Sequence, residues 1–258
     1  MCLILLAFKV HPSYPLILAA NRDEFYSRPT RAAEIWTDHT DIIGGRDLQE
    51  GGTWLGITRQ GRFAALTNYR DPRTLKENAP SRGKLVSRFL TDMENPADYL
   101  HYLEDCGERY NGFSLLFGTI DSLYYYCNKG SCKPMSAGIY GLSNAIIDTP
   151  WPKVEQGKRG LKALTFSEAK PDLDALFGLL TNQSHPHDDE LPETGVGIEW
   201  ERILSPMFIT SPIYGTRSST VVLADDQGRV IFEERTFQGQ PFPWTTARFE
   251  FTIGEVFS

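Results

Sequence analysis

A chain of 258 residues with 41% hydrophobic and 23% charged residues has a globular composition, which excludes a disordered or fibrous protein. At this length about three quarters of the unfolded surface can be buried, so neither disulfides nor a structural metal are needed to hold a fold. The formal net charge of -7 argues against a nucleic-acid binder working through an overall basic field, while leaving room for a local basic pocket.

The chain opens on an apolar run, Cys2 to Lys9, which reads as a buried strand. Its apolar stretch, Leu3 to Phe8, is too short to span a membrane and has Lys9 after it rather than before it, unlike a secretory signal. The breaker cluster His11 to Pro15 and a second apolar run, Leu16 to Ala20, then suggest a hairpin. Thr53 to Arg59 and Arg62 to Asn68, flanking Gln60-Gly61, suggest a second hairpin.

Helices are predicted next. One runs from about Lys84 to Asp92 with Ser81 as its cap, and another opens on Asn95-Pro96 and ends before Gly107. Strands follow over Phe113 to Ile120, Leu123 to Cys127 and Gly138 to Asn144. Two further helices are expected over Val154 to Leu164 and Leu173 to Thr181, and His185 to Thr194 reads as an exposed loop. The last third returns to strand over Ser218 to Ala224, Arg229 to Thr236 and Arg248 to Ile253. With no repeat and no linker, this alternation of strand and helix blocks predicts one layered α+β domain over residues 1–258.

The four cysteines, Cys2, Cys106, Cys127 and Cys132, form no Cys-x-x-Cys pair, which speaks against a zinc site. With no secretory signal read, the thiols are expected to stay reduced, which implies a cytoplasmic protein. Cys2 stands apart by position. Cysteine is small enough for Met1 to be removed, which would join a thiol and a free α-amine on one residue, and an α-amine with a pKa of about 7.7–8.0 can serve the thiol as base. The alternative is that Cys2 simply begins a buried strand. Asn21-Arg22-Asp23-Glu24 closes the second strand, and a hairpin brings it beside Cys2, where a cation would lower the thiol pKa.

Ten segments then occur in one order along nearly the whole chain. They are Met1-Cys2; Asn21 to Glu24 with Arg28-Pro29; Gly44-Gly45-Arg46-Asp47; Gly51 to Gly56; and Leu66-Thr67-Asn68. Ser81-Arg82-Gly83, Tyr110 to Phe113, Gly141 to Asn144, Pro150 to Lys153 and Tyr214 to Ser218 complete the set. On these the sequence resembles the NRDE family, whose eukaryotic members are called transport and Golgi organisation protein two.

The resemblance implies an N-terminal-nucleophile-hydrolase-like fold, a four-layer αββα sandwich with two antiparallel sheets between helical layers. Cysteine amidases of that fold use an N-terminal cysteine, an arginine, an aspartate, later asparagines and a late arginine. By order, Cys2, Arg22, Asp23, Asn68, Asn144 and Arg217 could fill those places in a Cys2-dependent amidohydrolase. Arg22 and Asp23 are adjacent, however, and a regular strand points them to opposite faces. Either the strand ends by Asp23, or one of the two lies outside the site.

Family members are associated with haem handling and trafficking and with lipid homeostasis, so the resemblance implies first a carrier of haem, acyl-CoA or another amphipathic anionic ligand, with the amidohydrolase as the alternative. No cofactor is required in that reading, with haem as a bound ligand. Arg46, Arg70 and Arg82, beside Trp54 and Tyr214, are its candidate ligand-binding residues, since guanidinium groups pair well with carboxylate and phosphate. A scaffold without chemistry is the third reading. No nucleic acid, metal site or integral membrane segment is expected.

Overall fold

The computed structural model describes residues 2–166 and 169–255. In chain order its strands are β1 Cys2–Phe8, β2 Leu16–Phe25, β3 Thr30–Ile35, β4 Ile42–Asp47, β5 Leu55–Thr58 and β6 Arg62–Asn68. Helices α1 Gly83–Thr91 and α2 Pro96–Cys106 follow, then β7 Phe113–Thr119, β8 Ser122–Cys127, β9 Cys132–Pro134 and β10 Gly138–Leu142. The remainder is α3 Pro152–Thr165, α4 Leu173–Leu180, α5 Ile198–Leu204, β11 Tyr214–Ala224, β12 Arg229–Phe237 and β13 Trp244–Thr252.

The strands form two antiparallel sheets, ordered β10-β1-β2-β11-β12-β13 and β3-β4-β5-β6-β7-β8-β9. Period-two alternation sorts the apolar side chains of β1 and β2 into two layers. Ile4, Leu6, Phe8 and Leu18 face the second sheet and pack with Ile57, Phe63 and Leu116. Leu3, Leu5, Ile17 and Ala19 face outward onto Val154 and Leu161 of α3 and Leu176, Phe177 and Leu180 of α4. On the far side, Ala64, Leu115 and Phe117 pack under Leu85, Val86 and Phe89 of α1 and Tyr99 and Leu103 of α2. The order of layers is helix, sheet, sheet, helix, as expected. Each fully buried Leu, Ile or Phe contributes roughly 1.5–3 kcal/mol, which makes β1, buried at every position, the best-anchored strand.

Several boundaries differ from the sequence reading. Ser81 does not cap α1: the helix starts from Arg82, without a side-chain cap, and Ser81 supplies only its carbonyl to Lys84 N. Asn95 does cap α2, its Oδ1 accepting from Ala97 N at 2.9 Å. β3, β4, β9 and α5 were not foreseen. β3 is largely exposed and has a register shift between Arg31 and Glu34, while β9 is a three-residue exposed edge, so neither shows apolar alternation. β4 carries Gly44-Gly45, residues that ordinarily weaken a strand; a Cβ on Gly44 would lie 2.7 Å from the Leu55 carbonyl oxygen, so close strand approach demands glycine there.

β2 continues through Asn21 to Phe25 because β11 pairs along its whole length. Asn21 is buried and serves the fold, donating to Leu180 O at 2.9 Å and Met207 O at 2.8 Å, and accepting from Ser219 Oγ at 2.5 Å.

Candidate functional site

The β1–β2 register places Cys2 directly opposite Arg22. Both lie on the inter-sheet side, in step with Ile4 and Ala20, and each is 6% exposed. Asp23 is one residue further along and 1% exposed. The strand has not ended there, so Asp23 takes the opposite face, but β1 begins at Cys2 and Asp23 lies just past its start. The register shift between Thr216 and Ser218 in β11 makes Arg217 the bulged residue and keeps Thr216 opposite Asp23. Thr216 Oγ1 donates to Asp23 Oδ1 at 2.7 Å, and the Tyr214 hydroxyl donates to the Asp23 carbonyl at 2.8 Å.

These residues open onto a cleft of about 240 Å³ lined by Cys2, Arg22, Asp23, Asn68, Trp54 and Arg82, with Glu24, Arg28, Asp47 and the 79–83 stretch completing the wall. The glycines of the 51–53 and 81–83 segments explain how Arg82 reaches it. A Cβ on Gly52 would lie 2.5 Å from the Gly83 carbonyl carbon, so the two backbones meet only because both residues are glycine. Thr53 N then donates to Gly83 O at 3.3 Å, and the uncapped N-terminus of α1 is held at the cleft.

Burial raises the Cys2 thiol above its ordinary pKa and Asp23 pushes it the same way, while Arg22 pulls it down. The lowering expected from a neighbouring cation is therefore present but outweighed. Burial also raises Asp23, opposed chiefly by Lys153. Arg22 Nη1 is buried without a hydrogen-bond partner among the described residues. Arg82 donates to Gly112 O at 2.9 Å, and among the described residues neither Arg22 nor Arg82 forms an ion pair. Arg28 takes up the local carboxylates, reaching Asp47 at 2.5 Å and Glu24 at 3.9 Å.

Five of the expected residues do not line the cleft, although Tyr214, Asn144 and Arg217 bond to residues that do. Arg46 pairs with Asp38 and stacks 3.6 Å from the Trp36 ring centroid. Arg70 forms an ion pair with Glu201 at 2.5 Å, each side chain 4% exposed, and lies over Trp151. Arg217 donates to the carbonyls of Phe25 and Arg28 at 2.8 and 3.1 Å. Tyr214 supports Asp23 from behind. Asn144 is wholly enclosed, its Nδ2 donating to Asn68 O at 2.9 Å and its Oδ1 accepting from Arg70 and Ser143 at 3.3 Å each. Its amide links Asn68 to Arg70. Sequence reasoning passed over the Arg28–Asp47 pair and Lys153, although all three residues fall within the recognised segments.

Residues 1–239 match the family described as Transport and Golgi organisation 2. The chain belongs to the Transport and Golgi organisation 2 family. It is 40% identical to the Transport and Golgi organization protein 2 homolog of Bos taurus, over 98% of this chain and 99% of that one. It is 29% identical to Transport and Golgi organization protein 2 of Drosophila melanogaster, over 93% of each chain. Among solved structures, the C2A mutant of conjugated bile acid hydrolase from Clostridium perfringens superposes with a TM-score of 0.54 at 8% identity, covering 96% of this chain and 92% of the other. That likeness identifies the fold as N-terminal-nucleophile-hydrolase-like. Among the described residues, no helix is long and apolar enough to cross a membrane, and no cluster of three or more His, Cys, Asp or Glu could hold a metal. All four cysteines are unpaired.

Proposed function

We propose that this chain binds an amphipathic anion by its charged head in the Cys2 cleft, as a carrier of haem, an acyl-CoA or a similar lipid anion. The observation that carries the reading is a pair of cleft arginines, Arg22 and Arg82, outside any ion pair among the described residues. Arg22 keeps a buried Nη1 without a partner there, a costly arrangement that an incoming carboxylate or phosphate oxygen would relieve. The N-terminus of α1 adds a favourable dipole on the same wall. At about 240 Å³ the cleft is smaller than the ~300–1,000 Å³ of a typical small-molecule pocket. It therefore takes the head group, and the apolar body lies along Trp54, Leu66 and Pro80 or outside.

A second reading, amide hydrolysis at Cys2, is favoured by the Cys2–Arg22 register and by the fold. With Met1 removed, Cys2 Sγ would attack the amide carbonyl while its proton passes to the α-amine. The Asn68 side chain, which lines the cleft, would donate to the oxyanion. The proton then leaves with the departing amine, and water hydrolyses the thioester. Burial raises the Cys2 thiol, so this reading depends on the α-amine taking the thiol proton.

Calorimetric titration of haem and of an acyl-CoA into wild type, Arg22→Met and Arg82→Met separates the readings when run beside an amide-hydrolysis assay on Cys2→Ala. The carrier reading predicts that each arginine variant loses about 1.5–3 kcal/mol of binding while Cys2→Ala binds normally. Unchanged affinity in both arginine variants removes it. Amide turnover abolished by Cys2→Ala establishes the second reading.

A further inference from the structure

β13 is the last strand of its sheet, so one of its edges has no neighbouring strand among the described residues. The direction of its backbone groups follows from its pairing with β12. Ile253 N donates to Gly228 O at 2.9 Å, and the register runs without a shift from Arg229–Thr252 to Phe237–Trp244. Antiparallel pairs alternate between bonded and non-bonded, so Ala247, Phe249 and Phe251 turn their N–H and C=O groups to β12. Thr246, Arg248, Glu250 and Thr252 therefore turn theirs to the open edge. That edge closes at Gly254, whose N–H donates to Arg59 O at 3.1 Å.

The side chains alternate in step. Ala247, Phe249 and Phe251 belong to the layer between the sheets, with the Phe249 ring 6.3 Å from that of Phe232. Arg248 and Glu250 stand on the outer face, 44% and 59% exposed, and Arg248 reaches Glu250 at 2.6 Å and Glu233 at 3.2 Å. Open edges are ordinarily blunted by proline, a bulge or unmatched charge. Residues 244–252 hold neither proline nor bulge, and the two charges exposed along the strand are of opposite sign.

We propose that this edge is an interaction surface for a second copy of the chain. Two β13 strands pair antiparallel about a twofold axis at Phe249, joining two six-stranded sheets edge to edge. Charge fixes the register. Only outward-turned backbone groups bond across the edge, so Thr246, Arg248, Glu250 and Thr252 pair among themselves. An axis at Phe249 sets Arg248 opposite Glu250 of the second copy and Thr246 opposite its Thr252. On the inner face it sets Ala247 opposite Phe251 and Phe249 opposite itself. An axis one residue to either side sets Arg248 opposite Arg248 or Glu250 opposite Glu250, which repel. An isologous contact of this kind closes at two copies. β11 and β12 separate the edge from β2, so the proposal stands independently of the ligand reading of the Cys2 cleft.

Sedimentation velocity on the full chain, from micromolar to millimolar concentration, should show a monomer–dimer equilibrium. Arg248→Glu and Glu250→Arg each set like charges across the axis twice, and each should raise the dimer Kd roughly tenfold or more. Mixing the two variants, or combining both changes in one chain, sets opposite charges across the axis again and should return association to near the wild-type level. Amide exchange needs no variant: protection of the Thr246, Arg248 and Glu250 N–H groups should grow with concentration, while Ala247, Phe249 and Phe251 stay protected throughout. A wild type that remains monomeric at millimolar concentration overturns the proposal. So does a dimer in which the 246, 248 and 250 amides exchange as they do in the monomer. Single variants that associate like wild type, or a loss that neither mixing nor combination restores, overturn it equally.

Discussion

Removing one partner of the Arg70–Glu201 pair should be among the most damaging single changes outside the apolar core. Both side chains are 4% exposed, their atoms meet at 2.5 Å, and the ion pair ties the segment after β6 to α5 and the Thr194 loop. Arg70→Met strands a buried carboxylate, and Glu201→Leu strands a buried guanidinium, so each should cost about 3–5 kcal/mol. For a chain of this length that is a fall in Tm on the order of 10 °C. The double variant removes both charges together. Among the contacts described, it leaves the Thr194 N–H and hydroxyl without Glu201 and loses one bond to Asn144 Oδ1, worth about 1–3 kcal/mol, so it should be more stable than either single variant. Urea unfolding of the four proteins gives the cycle directly. Single variants within about 1 kcal/mol of wild type, or a double variant as damaged as the sum of the singles, would refute the assignment of Arg70 to the fold rather than to the ligand.

Three further outcomes are expected. The alkylation midpoint of Cys2 should rise in Arg22→Met and fall in Asp23→Asn, because Arg22 lowers the thiol pKa and Asp23 raises it; mass spectrometry of labelled peptides at stepped pH reads both. Lys153, lowered from the ordinary 10.5 to about 8, should make stability rise with pH. Below that value folded and unfolded chains both hold the proton and the burial cost stands; between about 8 and 10.5 only the unfolded chain holds it. Wild type should therefore gain on the order of 3 kcal/mol relative to Lys153→Met across that window in urea titrations, and parallel curves would contradict this. Gly52→Ala drives a Cβ into the Gly83 backbone and should destabilise by roughly 1–3 kcal/mol while displacing Arg82, read as weaker anion binding in calorimetry.

Much of the scaffold could be read from sequence because its signals are local. The apolar runs of β1 and β2 predict their pairing, and antiparallel register then sets Arg22 across from Cys2 with no further information. The Asn95-Pro96 cap of α2 was legible for the same reason. β3, β4 and α5 were not, since their stability comes from neighbours: a carbonyl approach that needs Gly44, or the Glu201 link that anchors a seven-residue helix.

The arginines show the same limit at the site. Arg46, Arg70 and Arg82 look alike in sequence, and only the positions of Asp38, Glu201 and the Gly52–Gly83 contact separate two structural guanidiniums from one that lines the cleft. Lys153 could not be read as a buried residue, because a lysine signals exposure and only the packing of α3 on β1 and β10 and its bond to Leu204 O enclose it.

The most direct test of anion binding at Cys2 is ligand protection. Wild-type protein is alkylated with and without haem or an acyl-CoA at about ten times its Kd, and modification of Cys2 and of the exposed Cys132 is followed in one digest. The account predicts that Cys2 labelling slows roughly tenfold, in proportion to the unoccupied fraction, while Cys132 labelling is unchanged. Equal labelling of Cys2 with and without bound ligand would contradict it.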